Sequence, residues 1–492
     1  MTAPDLLLAI DQGTSSTRAI VFDRAGTIVS SAQRPLAQHY PQDGWVEHDA
    51  EEIWTAVVAV CREAIDGLAP GRIAGAGITN QRETCLLWDR ATGQPIHRAI
   101  VWQDRRGTPM CQTLADTGHG PAIRRATGLV LDSYFSATKL AWLLDNLPDA
   151  RRRAERGDLA FGTIDTYLLW RLTDGRHHAT DATNASRTML FDIHNQCWSA
   201  DLCSLFGVPM ALLPTVCDCA ADFGVIDASV LGFDLAIGGI AGDQQAALIG
   251  QGCTRPGLAK ATYGTGCFVL TNDGVDAPSN QGALLTTIAY QLGGKATYAT
   301  EGSAFNAGTA VAWLRDNLGI VQTSAETESL ASSLSDNGGV YFVPAFTGLG
   351  APFWEPEARG AVVGLTRDTG RAHLARAALE AAAYQTHDLL AESGKRATAL
   401  RIDGGMAANN WFAQFLADLL GINVDRPAVT ETTAWGAAIL AGLQTGMFAS
   451  LDQVAADWRA ERTFAPRIDD AQRAGLIAGW RRAVAQVRAG YA

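Results

Sequence analysis

The first 23 residues constrain the fold more than any other part of the chain. Five apolar residues at 6–10 lead into the polar segment 11–18 (DQGTSSTR), and a second apolar run follows at 19–23. Short apolar runs on both sides of a Gly-containing turn predict a β-hairpin, because Gly tolerates a positive φ. The hydroxyl-rich turn exposes backbone N–H groups, which is typical of a loop that receives an anion.

Strand-like and helix-like segments alternate after this hairpin. A third strand is predicted at 27–32, and further apolar strands are predicted at 74–78, 85–87 and 100–102. Helical stretches at 51–67 and 138–146 lie between and after them. This alternation predicts an α/β fold.

The same order of segments returns near residue 255. The second half has strand-like segments at 258–262, 267–271, 284–290 and 398–402 and a long Ala-rich helix at 371–393. A chain of 492 residues exceeds the ~250 to 300 residues at which single cores stop growing. We therefore predict two domains, at 1–252 and 253–492.

Composition excludes several classes of protein. With 47% apolar residues the chain can bury enough surface to fold, and a net charge of -12 argues against a nucleic-acid partner. No apolar run approaches the ~20 residues of a membrane span, and the N-terminus lacks a secretory signal, which predicts a cytoplasmic protein. Nine Cys without a CxxC pair indicate reduced, buried thiols rather than a metal site.

Four segments combine Gly, a hydroxyl residue and an acid or amide just after an apolar run. They are 11–18, 242–245, 263–266, and 403–405 with 409–410. Gly allows a phosphate to approach the backbone, hydroxyl and amide groups donate to it, and an acid can hold a metal. One such segment alone is more often a simple turn, but four of them at strand ends indicate a phosphate site. The P-loop and protein-kinase motifs are absent.

A different polar segment, Thr79 to Thr84, lies between two predicted strands and places Arg82 next to Glu83. An arginine with five donors beside a carboxylate acceptor suits a small neutral polyol, whose hydroxyls both donate and accept. The alternative is a surface ion pair. Trp102, Tyr134 and Phe268 could form apolar walls for a carbon chain, or could simply be core residues.

At this point the sequence resembles the FGGY carbohydrate kinase family over essentially its whole length. The resemblance is carried by 9–23 (AIDQGTSSTRAIVFD), 39–54, 77–84 (GITNQRET), 99–106 (AIVWQDRR), 134–146, 183–193, 239–251, 262–270, 343–367 and 403–410 (DGGMAANN). The general family signatures correspond to 134–146 and 360–380. The NQRET and VWQ segments are similar to those of family members that phosphorylate glycerol.

The resemblance implies two RNase H-like domains of the actin-like ATPase type flanking a central catalytic cleft. The first domain would bind mainly the polyol, and the second would bind mainly ATP. It implies ATP-dependent phosphorylation of glycerol to sn-glycerol 3-phosphate with Mg2+, and a homodimer or homotetramer. By match to the family pattern, Asp243 would be the general base and Asp11 would position Mg2+.

The resemblance also assigns the binding residues. Those for glycerol would be Arg82, Glu83, Trp102, Tyr134, Asp243, Gln244 and Phe268. Those for the nucleotide would be Thr14, Ser15, Ser16, Arg18, Thr265, Gly308, Gly405 and Asn409.

The sequence departs from the family pattern in three places, one of which is the diverged segment 462–479, so control by a sugar-transport protein is not expected to carry over. Ala312 stands where many members have a Gln near the adenine. Residues 225–235 lack the Gly-Gly-Thr-Arg pattern of a fructose 1,6-bisphosphate site, so we expect weak or no inhibition by that compound. Two alternatives remain open: a kinase for another polyol or sugar, such as erythritol, xylulose or ribulose, and a nucleotide-driven binding protein without kinase activity.

Overall fold

The structure is a computed structural model, and it describes residues 4–278, 282–355, 357–395 and 397–490. The strands of the first half are β1 (Leu6–Gln12), β2 (Ser16–Asp23), β3 (Ile28–Pro35), β4 (Glu47–His48), β5 (Ile73–Asn80), β6 (Cys85–Asp89), β7 (Ala99–Ile100), β8 (Leu159–Thr163), β9 (Ala179–Asp181), β10 (Phe191–Asp192), β11 (Cys197–Trp198), β12 (Thr215–Cys217), β13 (Val225–Ile226) and β14 (Leu235–Gly242). Its helices are α1 (Ala50–Ile65), α2 (Thr108–Asp116), α3 (Gly120–Thr127), α4 (Ser136–Asn146), α5 (Ala150–Glu155), α6 (Ile164–Leu172), α7 (Ala182–Ala185), α8 (Ala200–Leu205), α9 (Ala228–Leu231) and α10 (Asp243–Gly250).

The second half has its own strands and helices. The strands are β15 (Leu258–Tyr263), β16 (Cys267–Gly274), β17 (Leu285–Leu292), β18 (Lys295–Ala304), β19 (Tyr341–Val343), β20 (Ala361–Val363), β21 (Ala399–Asp403), β22 (Asn423–Pro427) and β23 (Ala460–Phe464). The helices are α11 (Gly308–Asp316), α12 (Glu326–Ser332), α13 (Arg371–Glu392), α14 (Asn410–Leu420), α15 (Thr432–Gln444), α16 (Leu451–Asp457) and α17 (Asp470–Ala489). Short 3-10 helices lie at Pro70–Arg72, Met210–Leu212 and Gly405–Ala408.

The first sheet is built around the predicted hairpin. Its order is β13-β14-β5-β1-β2-β3, with β1, β2 and β3 antiparallel and with β5 and β14 parallel to β1. The hairpin register pairs Gln12 with Thr17, so residues 13–16 form its tip. All seven residues of β1 are buried. Such near-continuous burial is typical of a strand covered on both faces.

The second sheet repeats this plan with strands added at its edges. Its order is β17-β18-β16-β15-β21-β22-β23. β15, β16 and β18 are antiparallel neighbours, and β21 and β22 run parallel to β15. Both halves therefore have three antiparallel strands followed by two parallel ones. The predicted α/β fold of two such halves is confirmed.

A smaller sheet is inserted into the first half. Its order is β4-β7-β6-β8, and it packs with α4 and α5 around a separate core that includes Phe135, Leu140 and Phe161. The loop after β7 carries Trp102, and the loop before α4 carries Tyr134. This insertion thus positions the two aromatic residues predicted to line the polyol site.

Helix α15 joins the two halves. It belongs to the second half in sequence but packs against β1, β5 and β14 of the first sheet and against α10. Leu7 and Ala9 share a core with Ile439 and Leu440. The boundaries 1–252 and 253–492 remain a prediction.

Two sequence-based expectations concern the chain as a whole. All nine cysteines lie in the described residues and are free thiols, but the expectation that they are buried is wrong for Cys197, which is exposed, and for Cys217, which is partly exposed. Among the residues that the structure describes, none of the helices combines the length and apolar character needed to cross a lipid bilayer.

Candidate active site

The two sheets bring their loops to corresponding edges. In the first sheet, Gln12 is level with Asn80, and Asn80 is level with Gly242. The hairpin tip, the turn at 81–84 and the start of α10 therefore lie at one edge, because parallel strands share their carboxyl ends. In the second sheet, Thr262 is level with Asp403. The four predicted polar segments thus follow strand ends, as the sequence indicated.

The hairpin holds the acid predicted to position Mg2+. The Arg18 guanidinium donates to Asp11 Oδ2 at 2.6 Å and to Glu431 Oε2 at 2.7 Å. Glu431 directly precedes α15, so this arginine links the hairpin to the second half. Burial raises the pKa of Asp11, and the charge of Arg18 opposes that shift.

The hairpin tip is held by a few short contacts. The Gly13 N–H donates to Ser16 O at 2.9 Å, and the Trp102 indole Nε1 donates to Thr14 Oγ1 at 2.9 Å. Gln33 Nε2 donates to Ser16 Oγ at 2.9 Å. Ser15 is exposed at the tip. The loop therefore leaves hydroxyl groups facing outwards while its backbone is fixed.

Aromatic residues stand beside this loop. The Trp102 and Tyr134 rings meet edge to face, with centroids 5.6 Å apart. Burial raises the pKa of the Tyr134 phenol well above its usual range, so this hydroxyl is a neutral hydrogen-bonding group. Phe268 lies half-buried in β16. Trp102 and Tyr134 therefore lie side by side, and their role as an apolar wall for a carbon chain stays a prediction.

Arg82 is buried, and acids and an amide accept most of its N–H groups. Its Nη1 and Nη2 donate to the two carboxylate oxygens of Glu301 at 2.7 and 2.9 Å. Nη1 also donates to Gln245 Oε1 at 3.3 Å, and Nε lies 3.2 Å from Asp243 Oδ1. The alternative of a surface ion pair is therefore wrong, because Arg82 and Glu83 are both buried.

Glu83 belongs to the same charge network through a second arginine. Arg187 Nε donates to Glu83 Oε1 at 2.6 Å, and Arg187 Nη2 donates to Glu301 Oε1 at 3.1 Å. Burial favours the neutral form of Glu301, but the charges of Arg187 and Arg82 outweigh burial and lower its pKa to about 2. The network is therefore a chain of alternating charges, in which each buried ion is paired.

The backbone at Glu83 is strained. Its φ is +60°, a left-handed conformation that non-Gly residues rarely adopt. The Thr84 N–H donates to Arg82 O at 2.7 Å across this tight turn, and Ser136 Oγ donates to Glu83 O at 3.0 Å. Such strain persists where the surroundings fix it, and it is common at functional sites.

Asp243 begins α10, where the helix dipole favours a negative charge. Burial raises the pKa of its carboxyl, whereas Arg82 and Lys260 lower it. Lys260 is buried, and its ammonium donates to Gln244 Oε1 and, at 2.9 Å, to Thr262 Oγ1. The carboxylate therefore has two cations near it, and its side chain is still 32% exposed. That exposure lets a ligand reach it.

The predicted nucleotide residues of the second half form close turns. Gly308 N donates to Gly264 O at 3.1 Å, which joins the start of α11 to the turn containing Thr265. Asn409 Oδ1 caps α14 by accepting from Phe412 N at 2.9 Å. A Cβ added at Gly405 would meet no other atom within 4 Å, so the space beside this residue is open. These residues surround the strand ends of β15 and β21.

A Mg2+ ion would find oxygen ligands here but no complete cage. Within residues 4–278, 282–355, 357–395 and 397–490, no group of three or more His, Cys, Asp or Glu side chains could hold a metal. Mg2+ usually takes one or two carboxylates together with water and substrate phosphates. The buried Asp11 carboxylate at the hairpin fits such a role, because a single carboxylate would supply one ligand and the phosphates and water would supply the others.

His48 gives the region a pH dependence that can be measured. Burial lowers its pKa to about 4, while an unfolded His titrates near 6.5. Below about pH 6.5, His48 therefore binds a proton in the unfolded chain, whereas in the folded chain it binds that proton only near pH 4. We expect the free energy of unfolding to fall by up to about 3 kcal/mol over this range on account of His48.

The measurement is urea unfolding of wild type and His48→Gln at several pH values. The variant should lose less stability on acidification than wild type. His178, whose pKa burial also lowers to about 4, should account for part of the remaining slope. The same slope in wild type and His48→Gln would contradict this account.

Four residues of the site were missed by sequence reasoning: Glu301, Lys260, Glu431 and Arg187. Each contacts a predicted site residue. A signal existed for the first two, because Glu301 and Lys260 are charged residues inside apolar strands, where such residues are depleted. No local pattern marks Glu431, which lies in a polar turn.

Comparison with known proteins identifies relatives over the whole chain. Residues 6–250 match the N-terminal domain, and residues 259–445 the C-terminal domain, of the FGGY family of carbohydrate kinases. A glycerol kinase of Alcanivorax borkumensis is 57% identical over 98% of this chain and 98% of the relative. One of Rhodospirillum centenum is 58% identical over 98% of each chain.

Solved structures show the same fold. The glycerol kinase of Plasmodium falciparum with ADP has a TM-score of 0.93 and 36% identity, and the match covers 99% of both chains. A ligand-bound xylulose kinase of Lactobacillus acidophilus has a TM-score of 0.88 at 22% identity, covering 99% of this chain and 100% of that chain. The second likeness concerns the fold alone.

Proposed function

The chain belongs to the FGGY family of carbohydrate kinases, and on this premise we propose that it transfers the γ-phosphoryl group of ATP to glycerol, giving sn-glycerol 3-phosphate and ADP. Relatives named glycerol kinase that are 54 to 58% identical over nearly the whole chain support glycerol over other acceptors. The alternatives, a kinase for another polyol or sugar and a binding protein without kinase activity, have no relative of comparable identity among these.

One observation carries the proposal: Arg82, Glu83 and Asp243 converge beside the aromatic pair Trp102 and Tyr134. A triol needs donors and acceptors for its hydroxyls and an apolar face for its carbons. Arg82 offers donors, Glu83 offers acceptors, and the rings offer the apolar face. We assign Gln244 and Phe268 to the same pocket.

The chemistry asks little of the protein beyond position and charge. The substrate hydroxyl oxygen attacks the γ-phosphorus, the bond from that phosphorus to the ADP oxygen breaks, and the hydroxyl proton passes to Asp243. A carboxylate is an adequate base, because the loose transition state requires little early deprotonation. The raised pKa of Asp243 makes it a better proton acceptor than an exposed Asp.

The phosphates are assigned to the hairpin and to the turn at 263–266. Thr14, Ser15, Ser16, Arg18 and Thr265 would receive them, while Gly308, Gly405 and Asn409 would line the base and ribose. With this assignment the polyol would lie mainly against residues 1–252 and the nucleotide mainly against residues 253–492. Mg2+, held from Asp11 and by the phosphates, would neutralise charge on the transferred group.

The first test is a coupled ADP-release assay with ATP and Mg2+. Glycerol, erythritol and xylulose are compared with a reaction that contains no acceptor. We expect glycerol to support the highest kcat/KM. Higher turnover of xylulose would move the assignment to another polyol, and hydrolysis without an acceptor would favour the binding-protein alternative. A homodimer or homotetramer, a cytoplasmic location and weak inhibition by fructose 1,6-bisphosphate remain predictions.

A further inference from the structure

Glu301 connects the two halves of the protein at the polyol pocket. It lies in β18 of the second sheet, opposite Leu270 of β16. Arg82 follows β5 of the first sheet. The two side chains are 219 residues apart in sequence, yet they form a bidentate pair in which neither is exposed. The pocket therefore depends on a residue from each half.

The hydrogen bonds of Arg82 show what this pair does. A guanidinium has five N–H groups, and the end formed by Nη1 and Nη2 is taken by Glu301, with Gln245 also accepting from Nη1. The remaining edge, formed by Nε and Nη2, has Asp243 Oδ1 3.2 Å from Nε. A bidentate carboxylate fixes the plane of an arginine as well as its position. Glu301 thus decides which edge of Arg82 faces Asp243.

Arg187 extends this control to Glu83. It donates from Nε to Glu83 and from Nη2 to Glu301, and its guanidinium lies over the Phe135 ring at 5.2 Å. Glu301 and Glu83 therefore share one arginine. Without Glu301, Arg82 and Arg187 would be left as two buried cations with Glu83 between them, and Arg82 would be free to turn towards Glu83 or Asp243.

We propose that Glu301 is a positioning residue of the polyol pocket, which holds the Nε–Nη2 edge of Arg82 towards the polyol hydroxyls and Asp243. This inference rests on the proposed phosphorylation of a polyol at this site. The second half, which is assigned mainly to the nucleotide, would thus also contribute a residue that helps to recognise the acceptor. The expected consequence is a selective loss of polyol affinity when Glu301 is changed.

The test compares Glu301→Gln with Glu380→Gln. Glu380 is an equally buried acid of the second half that pairs with Arg376 at 2.7 Å, in α13, and none of its hydrogen-bond partners is a predicted site residue. Both variants lose a buried charge and should lose thermal stability. Only Glu301→Gln should raise the KM for glycerol, by about tenfold or more, while the KM for ATP stays unchanged. An unchanged KM for glycerol in Glu301→Gln would overturn the proposal. So would a finding that the KM for glycerol and the KM for ATP rise equally in Glu301→Gln and in Glu380→Gln.

Glu301→Asp covers the case in which Glu301→Gln does not fold. It keeps the charge but is one methylene shorter, so its carboxylate should not reach Arg82 closely enough to hold both Nη atoms. A raised KM for glycerol in this variant supports the positioning role, and a wild-type KM overturns it. If wild type prefers another polyol, the proposed substrate fails, and the same comparison made with that polyol still decides the role of Glu301.

Discussion

Replacing Asp243 by Asn should lower kcat for glycerol phosphorylation by about 10^2-fold or more, since this is the range that a positioned base contributes. The amide has nearly the same shape as the carboxylate but cannot accept the hydroxyl proton. The KM for glycerol should change little, because Arg82 keeps its bidentate contact with Glu301. Steady-state kinetics with saturating ATP measure both parameters.

Asp222→Asn is the matched control for this substitution. Asp222 is an exposed acid of the same half, and its side chain caps a local turn by accepting from Gly224 N at 2.9 Å. This variant should keep wild-type kcat and KM. If Asp243→Asn turned over glycerol as fast as Asp222→Asn, Asp243 would have no role as the base, and another acceptor for the proton would have to be sought.

The second large effect is expected at the contact between α10 and α15. A Cβ on Gly436 would lie 1.8 Å from the carbonyl oxygen of Ala246, and one on Gly250 would lie 1.9 Å from that of Thr432. Backbone atoms cannot yield as a flexible side chain can, so Gly436→Ala must push the helices apart. We expect a loss of about 3 kcal/mol or more in the free energy of unfolding.

The activity of Gly436→Ala should fall as well. Helix α10 begins with Asp243, and α15 follows Glu431, which pairs with Arg18. Separating the helices therefore displaces the base and the hairpin arginine relative to each other. A displacement of about 1 Å can reduce turnover by about 10^2-fold.

Gly475→Ala supplies the control, since it makes the same change inside another helix of the second half. Gly475 is exposed in α17, and a Cβ there would meet nothing within 4 Å. This variant should gain roughly 0.5 to 1 kcal/mol, because Ala is the better helix former. Thermal and urea unfolding compare the two. Equal stability of Gly436→Ala and wild type would show that the helices can separate without cost.

Much of the fold could be predicted from local sequence. The hairpin at 6–23 and the strands at 258–262 and 398–402 were found within one or two residues, because buried strands are short apolar runs that end at Gly or polar residues. The unusual segment containing Arg82 and Glu83 was also visible, but the expectation that these two residues compensate mainly each other was wrong, because Arg82 pairs with Glu301 and Glu83 pairs with Arg187. Adjacent charged residues between two apolar runs can be recognised from the sequence alone.

The contacts between distant segments were decided by the tertiary structure. The sequence determined two α/β halves, polar loops at their strand ends, and a family likeness that points to phosphoryl transfer to a polyol. Only the structure places α15 on the first sheet, Lys260 beside Gln244, and Glu301 on Arg82. The physical reason is that burial makes unpaired charges costly, so each buried charge must find a partner. Which partner it finds depends on how the two sheets pack, and no local pattern encodes that.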